Sequence, residues 1–309
     1  MQAFRIKFSA MASMCELVVC ALDEPTADHC ARAAVAEVHR IEAKFSRYKP
    51  DTVVSRINAT ADGAPVGCDE ETSALLDRAA DLHRVSGGLF DITSGVLGQV
   101  WDFKAKKCPA VNDLTPLVAL VGWDRVERDN QTIRLPQAGM QLDFGGFGKE
   151  YAADRAASVL QDLGVQHGYV NLAGDMRFVG PKPDGTPWTI GIRHPRKENS
   201  VLATIPMQTG GLATSGDYER FFELDGERFC HVLRPDTGWP VKHWQSISVI
   251  ASDTATAGAI CTIAMLKESG ALEFLKSTGF KYLAVDRQGK LYYTEPEQAS
   301  QEEIDHANV

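Results

Sequence analysis

Residues 215–240 read SGDYERFFELDGERFCHVLRPDTGWP, and this stretch carries the clearest local signals in the chain. Two apolar runs flank the pair Asp225-Gly226, a spacing that predicts two antiparallel strands joined by a tight hairpin. The second strand ends at His231, and the turn formers of residues 235–238 follow soon after it. The pattern therefore predicts a hairpin that holds a histidine next to a rigid turn.

Helical and extended patterns alternate irregularly in the rest of the chain. Apolar residues recur at helical spacing from Ala31 to Phe45, and a second amphipathic pattern stops at the pair Gly87-Gly88. Two more helices are predicted, one after the glycine-rich turn at residues 145–148 and one from about residue 254. No regular strand–helix–strand repeat connects them. This order of elements predicts an α+β fold with mixed or antiparallel sheets.

Extended structure is predicted along residues 3–22, as one strand, and across residues 117–142, as hairpin strands. KPDTVVSRIN, residues 49–58, is expected to be a loop or a short extended piece. Five further strand candidates share apolar alternation between turn residues, and they lie at residues 168–180, 187–195, 201–215, 220–233 and 245–252.

Composition excludes several classes of protein. The 309 residues carry a formal net charge of -9, and no basic stripe is present to bind nucleic acid. No stretch approaches the roughly 20 apolar residues of a membrane helix. The seven cysteines form no CxxC pair or zinc spacing, which favours buried thiols in a reducing compartment. We therefore expect a cytoplasmic protein, with export after loss of a leader as the alternative.

One domain is expected over residues 1–295, followed by an acidic, loosely held tail at 296–309.

Two features within the domain could support chemistry. The segment GGFGK, residues 145–149, allows close backbone approach to a ligand and opens a helix beside a lysine. His231 could accept a proton at physiological pH. Each feature alone also fits an ordinary structural role, namely a tight strand–helix turn and a histidine at a strand end.

The order of the motifs is more specific than any one of them. FSRYKPD, GGLFDITSG, LDFGGFGKEYAADRA, NLAGDMRFVG, the hairpin block of residues 215–240 and TATAGAICTIAML follow one another along the chain. This series resembles the FAD:protein FMN transferase family, also called ApbE, from about Phe8 to Leu266. The resemblance implies two closely packed lobes with an FAD-binding cleft between them. It also implies transfer of the FMN half of FAD to a threonine or serine of a partner flavoprotein, with release of AMP and usually with magnesium.

The resemblance also implies roles for individual residues. His231 takes the place of the general base that acts on the acceptor hydroxyl. The carbonyl of Gly148 and the hydroxyl of Thr262 match familiar magnesium ligands. Eight positions match residues that hold FAD: Met11, Tyr48, Leu89, Phe90, Asp91, Gly145, Tyr151 and Leu233.

Three departures from the family pattern bear on the metal. Gly258 stands where the last helix usually has an aspartate, four residues before the threonine. Glu150 replaces a glycine, and Arg234 replaces a carboxylate. We expect either Arg234 or Lys149 to offset diphosphate charge, which would weaken the dependence on magnesium. Two alternatives share the same cleft: an FAD pyrophosphatase that yields FMN and AMP, and a non-catalytic FAD-binding protein.

Overall fold

A computed structural model describes residues 1–295, and the predicted tail at 296–309 lies outside the described residues. The helices of the described part are α1 Glu24–Phe45, α2 Val53–Ala59, α3 Glu70–Ser86, α4 Val111–Val118, α5 Gly148–Asp162, α6 Thr254–Leu266 and α7 Ala271–Thr278. Short 3₁₀ helices cover Ile92–Gln99, Trp123–Arg125 and Glu268–Gly270.

The strands fall into one large sheet and three small ones. The large sheet contains β1 Gln2–Ala10, β2 Ser13–Ala21, β6 Gly168–Leu172, β7 Asp175–Gly180, β10 Gly210–Gly216, β13 Trp244–Ala251, β14 Lys281–Asp286 and β15 Leu291–Tyr293. The small sheets contain β3 Val66–Gly67, β4 Glu127–Arg128 and β5 Thr132–Arg134; β8 Trp188–Arg193 and β9 Val201–Met207; and β11 Phe221–Leu224 and β12 Glu227–Cys230.

The eight-stranded sheet is antiparallel throughout, in the order β1-β2-β6-β7-β10-β13-β14-β15. Helix α5 packs against α1, α6 and β7, and α6 packs against β10 and β13. The prediction of an α+β fold with antiparallel sheets is confirmed. No helix within residues 1–295 combines the length and apolar character needed to cross a bilayer.

The start of α6 lies directly against strand β10. A Cβ atom on Gly211 would lie only 2.3 Å from the backbone nitrogen of Thr254, so only glycine allows this approach. The carboxylate of Asp154 on α5 accepts hydrogen bonds from the nitrogens of Thr254 and Ala255, at 2.8 and 2.9 Å. The sheet and α5 thus fix the position of α6, and the two helices together carry Glu150, Gly258 and Thr262.

Five segments differ in detail from the sequence predictions, and two of them, the strand candidates at residues 168–180 and 201–215, are two strands each. Residues 3–22 form two strands, because Met11 and Ala12 turn the chain with φ angles of 50° and 57°. Most of KPDTVVSRIN is helical, since Thr52 accepts a hydrogen bond from the nitrogen of Ser55 and begins α2. Residues 117–142 do contain a hairpin, since β4 pairs antiparallel with β5 around Asp129 and Asn130, but its two strands cover only residues 127–128 and 132–134.

Candidate active site

His231 lies immediately after the predicted hairpin. Asp225 and Gly226 join β11 to β12 with φ angles of 51° and 77°, which is the two-residue turn that suits a twisted hairpin. The His231 nitrogen donates to the carbonyl of Arg220, 3.0 Å away, which lies just before strand β11. The hairpin prediction is confirmed, and the backbone on both sides holds the histidine in place.

The turn after His231 is equally well defined. The nitrogen of Gly238 donates to the carbonyl of Arg234 at 2.8 Å, and the nitrogen of Arg234 donates to the carbonyl of Trp239 at 2.8 Å. The hydroxyl of Thr237 accepts a hydrogen bond from the nitrogen of Trp239 at 3.3 Å. Thr237 therefore stabilises the turn.

The imidazole of His231 reaches solvent but has protein packed around it. This partial exclusion of water, and then the charges of Arg220 and Lys149, lower the pKa of His231 to about 4. The ring is therefore neutral at physiological pH. A neutral imidazole can accept a proton, which is what a general base requires.

The glycine turn before α5 lies against the segment that contains Phe90. A Cβ atom on Gly146 would come within 2.8 Å of the Phe90 ring, so this glycine permits close packing. The nitrogen of Gly145 donates to Asp143 Oδ1 at 2.8 Å, and the residue itself is exposed. The structure thus brings together Gly145 and Phe90, two of the positions predicted to hold FAD.

Tyr48 does not pack into the core. Its side chain is 76% exposed, and the guanidinium carbon of Arg47 lies 5.0 Å from the centre of its ring. The two side chains border a shallow depression that Ser55, Asn58 and Gln141 also line. An exposed aromatic ring beside a cation suits stacking on a flat heterocycle. The depression does not include His231.

The carboxylate of Asp91 is buried and fully engaged with the protein. It accepts hydrogen bonds from the nitrogen and hydroxyl of Thr93, at 2.7 and 2.6 Å, and from the nitrogen of Trp123 at 2.9 Å. These contacts fix the loop that follows Phe90. A flavin contact by Asp91 stays a prediction.

We expect Asp91→Ala to lower the free energy of unfolding by about 3 kcal/mol, because it leaves buried donors without an acceptor. Asp124→Ala is the matched control, since the Asp124 side chain is 88% exposed, and it should change stability by less than about 0.5 kcal/mol. Urea unfolding followed by tryptophan fluorescence measures both values. Equal effects of the two substitutions would contradict the structural role of Asp91.

The other predicted FAD positions lie in different surroundings. Met11 is in the β1–β2 turn, where its nitrogen donates to Glu42 Oε1 at 3.1 Å. The hydroxyl of Tyr151 donates to Glu71 Oε1 at 2.8 Å, and burial and then this bond raise the pKa of Tyr151 to about 12. Leu89 packs against the buried apolar cluster around α6. Leu233 forms an isolated antiparallel bridge with Pro240.

A charged cluster that the sequence did not reveal lies at the start of α5. Lys149 Nζ lies 2.6 Å from Asp175 Oδ2, and Asp175 Oδ1 accepts a hydrogen bond from the nitrogen of Thr214 at 3.1 Å. Burial opposes the charge on Lys149, but the carboxylates of Asp175 and Glu150 outweigh it and raise the lysine pKa.

Glu150 is the second unexpected member of this cluster. Only 8% of the residue is exposed, and its Oε2 atom has no hydrogen-bond partner within residues 1–295. Burial, and then the neighbouring charge of Asp175, raise the pKa of Glu150 to about 8. A Cβ atom on Gly258 would lie 2.6 Å from Glu150 Cγ and 2.9 Å from Oε1. Glu150 therefore fills the space beside the missing side chain of residue 258.

The predicted metal ligands lie on the two helices that meet here. Gly148 begins α5, and Thr262 lies one turn beyond Gly258 on α6, with its hydroxyl 3.2 Å from the hydroxyl of Ser215. Among the described residues, no three His, Cys, Asp or Glu side chains are grouped closely enough to hold a metal by themselves. Any cation would therefore need hydroxyl or carbonyl oxygens, or oxygens of a ligand.

Arg234, which the sequence suggested as a substitute for metal charge, is already engaged. Its guanidinium forms an ion pair with Asp236 at 2.6 Å and donates to the carbonyl of Leu266 at 3.0 Å. These contacts tie the turn after His231 to the end of α6. Lys149, the other suggested cation, is held by Asp175.

Comparison with known proteins identifies relatives over most of this chain. The sequence profile of the ApbE family matches residues 11–284. An FAD:protein FMN transferase of Haemophilus influenzae is 31% identical over 274 residues, which cover 84% of this chain and 79% of that protein. An FAD:protein FMN transferase of Escherichia coli K12 is 28% identical over 261 residues, covering 81% and 74%.

Solved structures share the fold. The ApbE protein of Thermotoga maritima matches with a TM-score of 0.87 at 30% identity, over 95% of this chain and 97% of that one. The apo form of the flavinyl transferase ApbE of Pseudomonas stutzeri matches with a TM-score of 0.83 at 28% identity, over 96% and 95%. With the family profile, the relatives and the fold in agreement over most of its length, this chain belongs to the ApbE family.

Proposed function

We propose that this chain is an FAD:protein FMN transferase, which moves FMN from FAD to a threonine or serine hydroxyl of a partner flavoprotein. Relatives that carry this name cover most of the chain. The observation that carries the proposal is the position of His231, which backbone hydrogen bonds of the hairpin and the following turn hold near the charge of Lys149. A proton acceptor beside a cation is what attack on a phosphoanhydride requires.

In the proposed reaction, the acceptor hydroxyl attacks the phosphorus on the FMN side of the diphosphate. Its oxygen forms a new P–O bond, and its proton passes to the free ring nitrogen of His231. The bond between that phosphorus and the bridging oxygen breaks, and AMP leaves with the electron pair. The products are AMP and a flavin joined to the protein through a phosphoester.

The positions that match FAD-binding residues fit a substrate with a flat ring and a diphosphate. Tyr48 offers an exposed aromatic face, and Gly145 is exposed next to Gly146, which packs against the Phe90 ring. Oxygen atoms of Gly148 and Thr262 would hold a magnesium ion, which supplies charge that offsets the diphosphate when it is bound. These ligand and cofactor contacts are part of the proposal.

We also propose that the protein works in a reducing compartment, most simply the cytoplasm. All seven cysteines are free, and five of them are buried. Burial raises the pKa of several of these thiols, including Cys230 to about 12, and this makes them unreactive. The partner in this proposal is a flavoprotein whose threonine or serine can enter the site.

The test follows the flavin after incubation with FAD and Mg²⁺, with and without a purified flavoprotein that presents an exposed threonine. We expect mass spectrometry to detect FMN covalently attached to the acceptor, together with one AMP released per flavin transferred. Free FMN and AMP in both reactions would identify a pyrophosphatase instead. Unchanged FAD in both reactions, with FAD bound to the protein, would identify a binding protein and contradict catalysis.

A further inference from the structure

Two departures from the family pattern meet in space, although they are far apart in the sequence. Glu150 lies on α5 and Gly258 on α6, and the resemblance to the ApbE family implies a glycine at the first position and an aspartate at the second. The structure places the Glu150 side chain against Gly258, where a Cβ atom would collide with Glu150 Cγ, Cδ and Oε1 at 2.6–2.9 Å. The space beside residue 258 therefore still contains a carboxyl group, but that group comes from α5 and not from α6.

The buried end of Glu150 has no partner among residues 1–295. Oε2 accepts no hydrogen bond, although the residue is more than nine-tenths buried. The buried carboxylates of Asp91 and Asp175, by contrast, are each hydrogen-bonded by backbone nitrogens. An unpaired carboxylate in this position is costly unless it takes up a proton or a group from outside the protein binds to it. Oε2 is thus a free oxygen ligand inside the candidate site.

The surroundings of Glu150 supply the other hard oxygens that a small divalent cation prefers. Thr262 lies four residues after Gly258, so both positions are on the same face of α6. Gly148 lies in the same first turn of α5 as Glu150. The carboxylates of Glu150 and Asp175, with Lys149, carry one net negative charge when both acids are ionised. A divalent cation would reverse the sign of this cluster and favour an anionic ligand.

We propose that Glu150 is the carboxylate ligand of a divalent cation, in place of the aspartate that residue 258 lacks, alongside Thr262 and the carbonyl of Gly148. The role of the cation, which is to offset the charge of the FAD diphosphate, rests on the proposed function. The binding site itself does not. In this arrangement the cation offsets the diphosphate charge. Arg234 is not available for that purpose, because its guanidinium is paired with Asp236.

The competing explanation is that Glu150 only fills the space beside Gly258. A glutamine at position 150 has almost the same shape and would fill that space equally well, but its neutral amide binds a hard cation more weakly than a carboxylate does. Glu150→Gln therefore separates packing from metal binding. A second variant, Glu150→Gly/Gly258→Asp, returns the carboxylate to α6 and removes the side chain that would collide with it.

The experiment titrates Mn²⁺ into each protein and measures free Mn²⁺ by electron paramagnetic resonance, once with the metal alone and once with FAD present. Asp162→Asn, an exposed change at the end of α5, is the control. Thermal unfolding of each variant without metal checks that it folds. The readout is metal binding, so it does not depend on whether FMN is transferred.

We expect wild-type protein and Asp162→Asn to bind one Mn²⁺ with equal affinity. Glu150→Gln should weaken binding at least about tenfold, and Glu150→Gly/Gly258→Asp should restore it to within a few-fold of wild type. Equal binding by wild type and Glu150→Gln, or no binding by wild type in either titration, would overturn the proposal. If Glu150-dependent binding is found but no FMN is transferred, the site is correct and the proposed function is not.

Discussion

The His231→Ala variant should lose FMN transfer by about 10²- to 10⁴-fold, the usual contribution of a general base, while it still retains FAD. The ring is the only part of His231 that can accept the acceptor proton, and its low pKa keeps it neutral and ready to do so. The backbone nitrogen that bonds to Arg220 is unchanged by the substitution. The hairpin should therefore keep its conformation.

Two measurements on the same variant separate chemistry from binding. Mass spectrometry of the acceptor gives the rate of FMN attachment, and equilibrium dialysis gives the affinity for FAD. His29→Ala, an exposed histidine on α1, is the control and should transfer FMN at the wild-type rate. If His231→Ala transfers FMN as fast as this control, His231 is not the base. If it loses FAD instead, its role is in binding.

Lys149→Met should lower the free energy of unfolding by about 3 kcal/mol, because it leaves the buried carboxylate of Asp175 without its cation. Asp175 lies 2.6 Å from the lysine nitrogen, and Glu150 adds a second acid nearby. The apolar side chain of methionine keeps most of the packing made by the lysine stem. The loss in free energy of unfolding therefore measures the contribution of the lysine charge.

The control for this effect is an exposed ion pair. Lys242 pairs with Glu227 at the surface, so Lys242→Met should cost at most about 1 kcal/mol. Urea unfolding of Lys149→Met, Asp175→Asn and the double variant completes a double-mutant cycle. The double variant should lose less free energy of unfolding than the two single variants lose in sum. Additive losses would show that the two residues are not coupled.

The sequence predicted the parts of this fold in which local signals agree with tertiary structure. Helix α3 has Asp69 at its start and Gly87 in a left-handed conformation at its end, and both positions could be recognised from residue type. The hairpin at Asp225-Gly226 was equally clear. The first turn was not predicted, because Met11 and Ala12 adopt positive φ angles that their residue types disfavour.

Helix α2 was missed for a different reason. Val53 and Val54 are β-branched and favour extended structure locally, but burial of both side chains, and of Ile57, overrides that preference. In the candidate site, His231 and the glycine turn were predicted from motifs. The contact between Glu150 and Gly258 could not be, since only the packing of α5 on α6 brings them together. The sequence offered one signal for this contact, namely that Glu150 and Gly258 both depart from the family pattern in the same chain.

The most direct test of the whole account is a crystal structure of the His231→Ala variant with FAD and Mn²⁺. We predict an anomalous signal for Mn²⁺ next to Glu150 and Thr262, with the diphosphate of FAD bound to the metal and close to residue 231. A diphosphate bound elsewhere, or Mn²⁺ absent from Glu150 while FAD occupies the site, would contradict it.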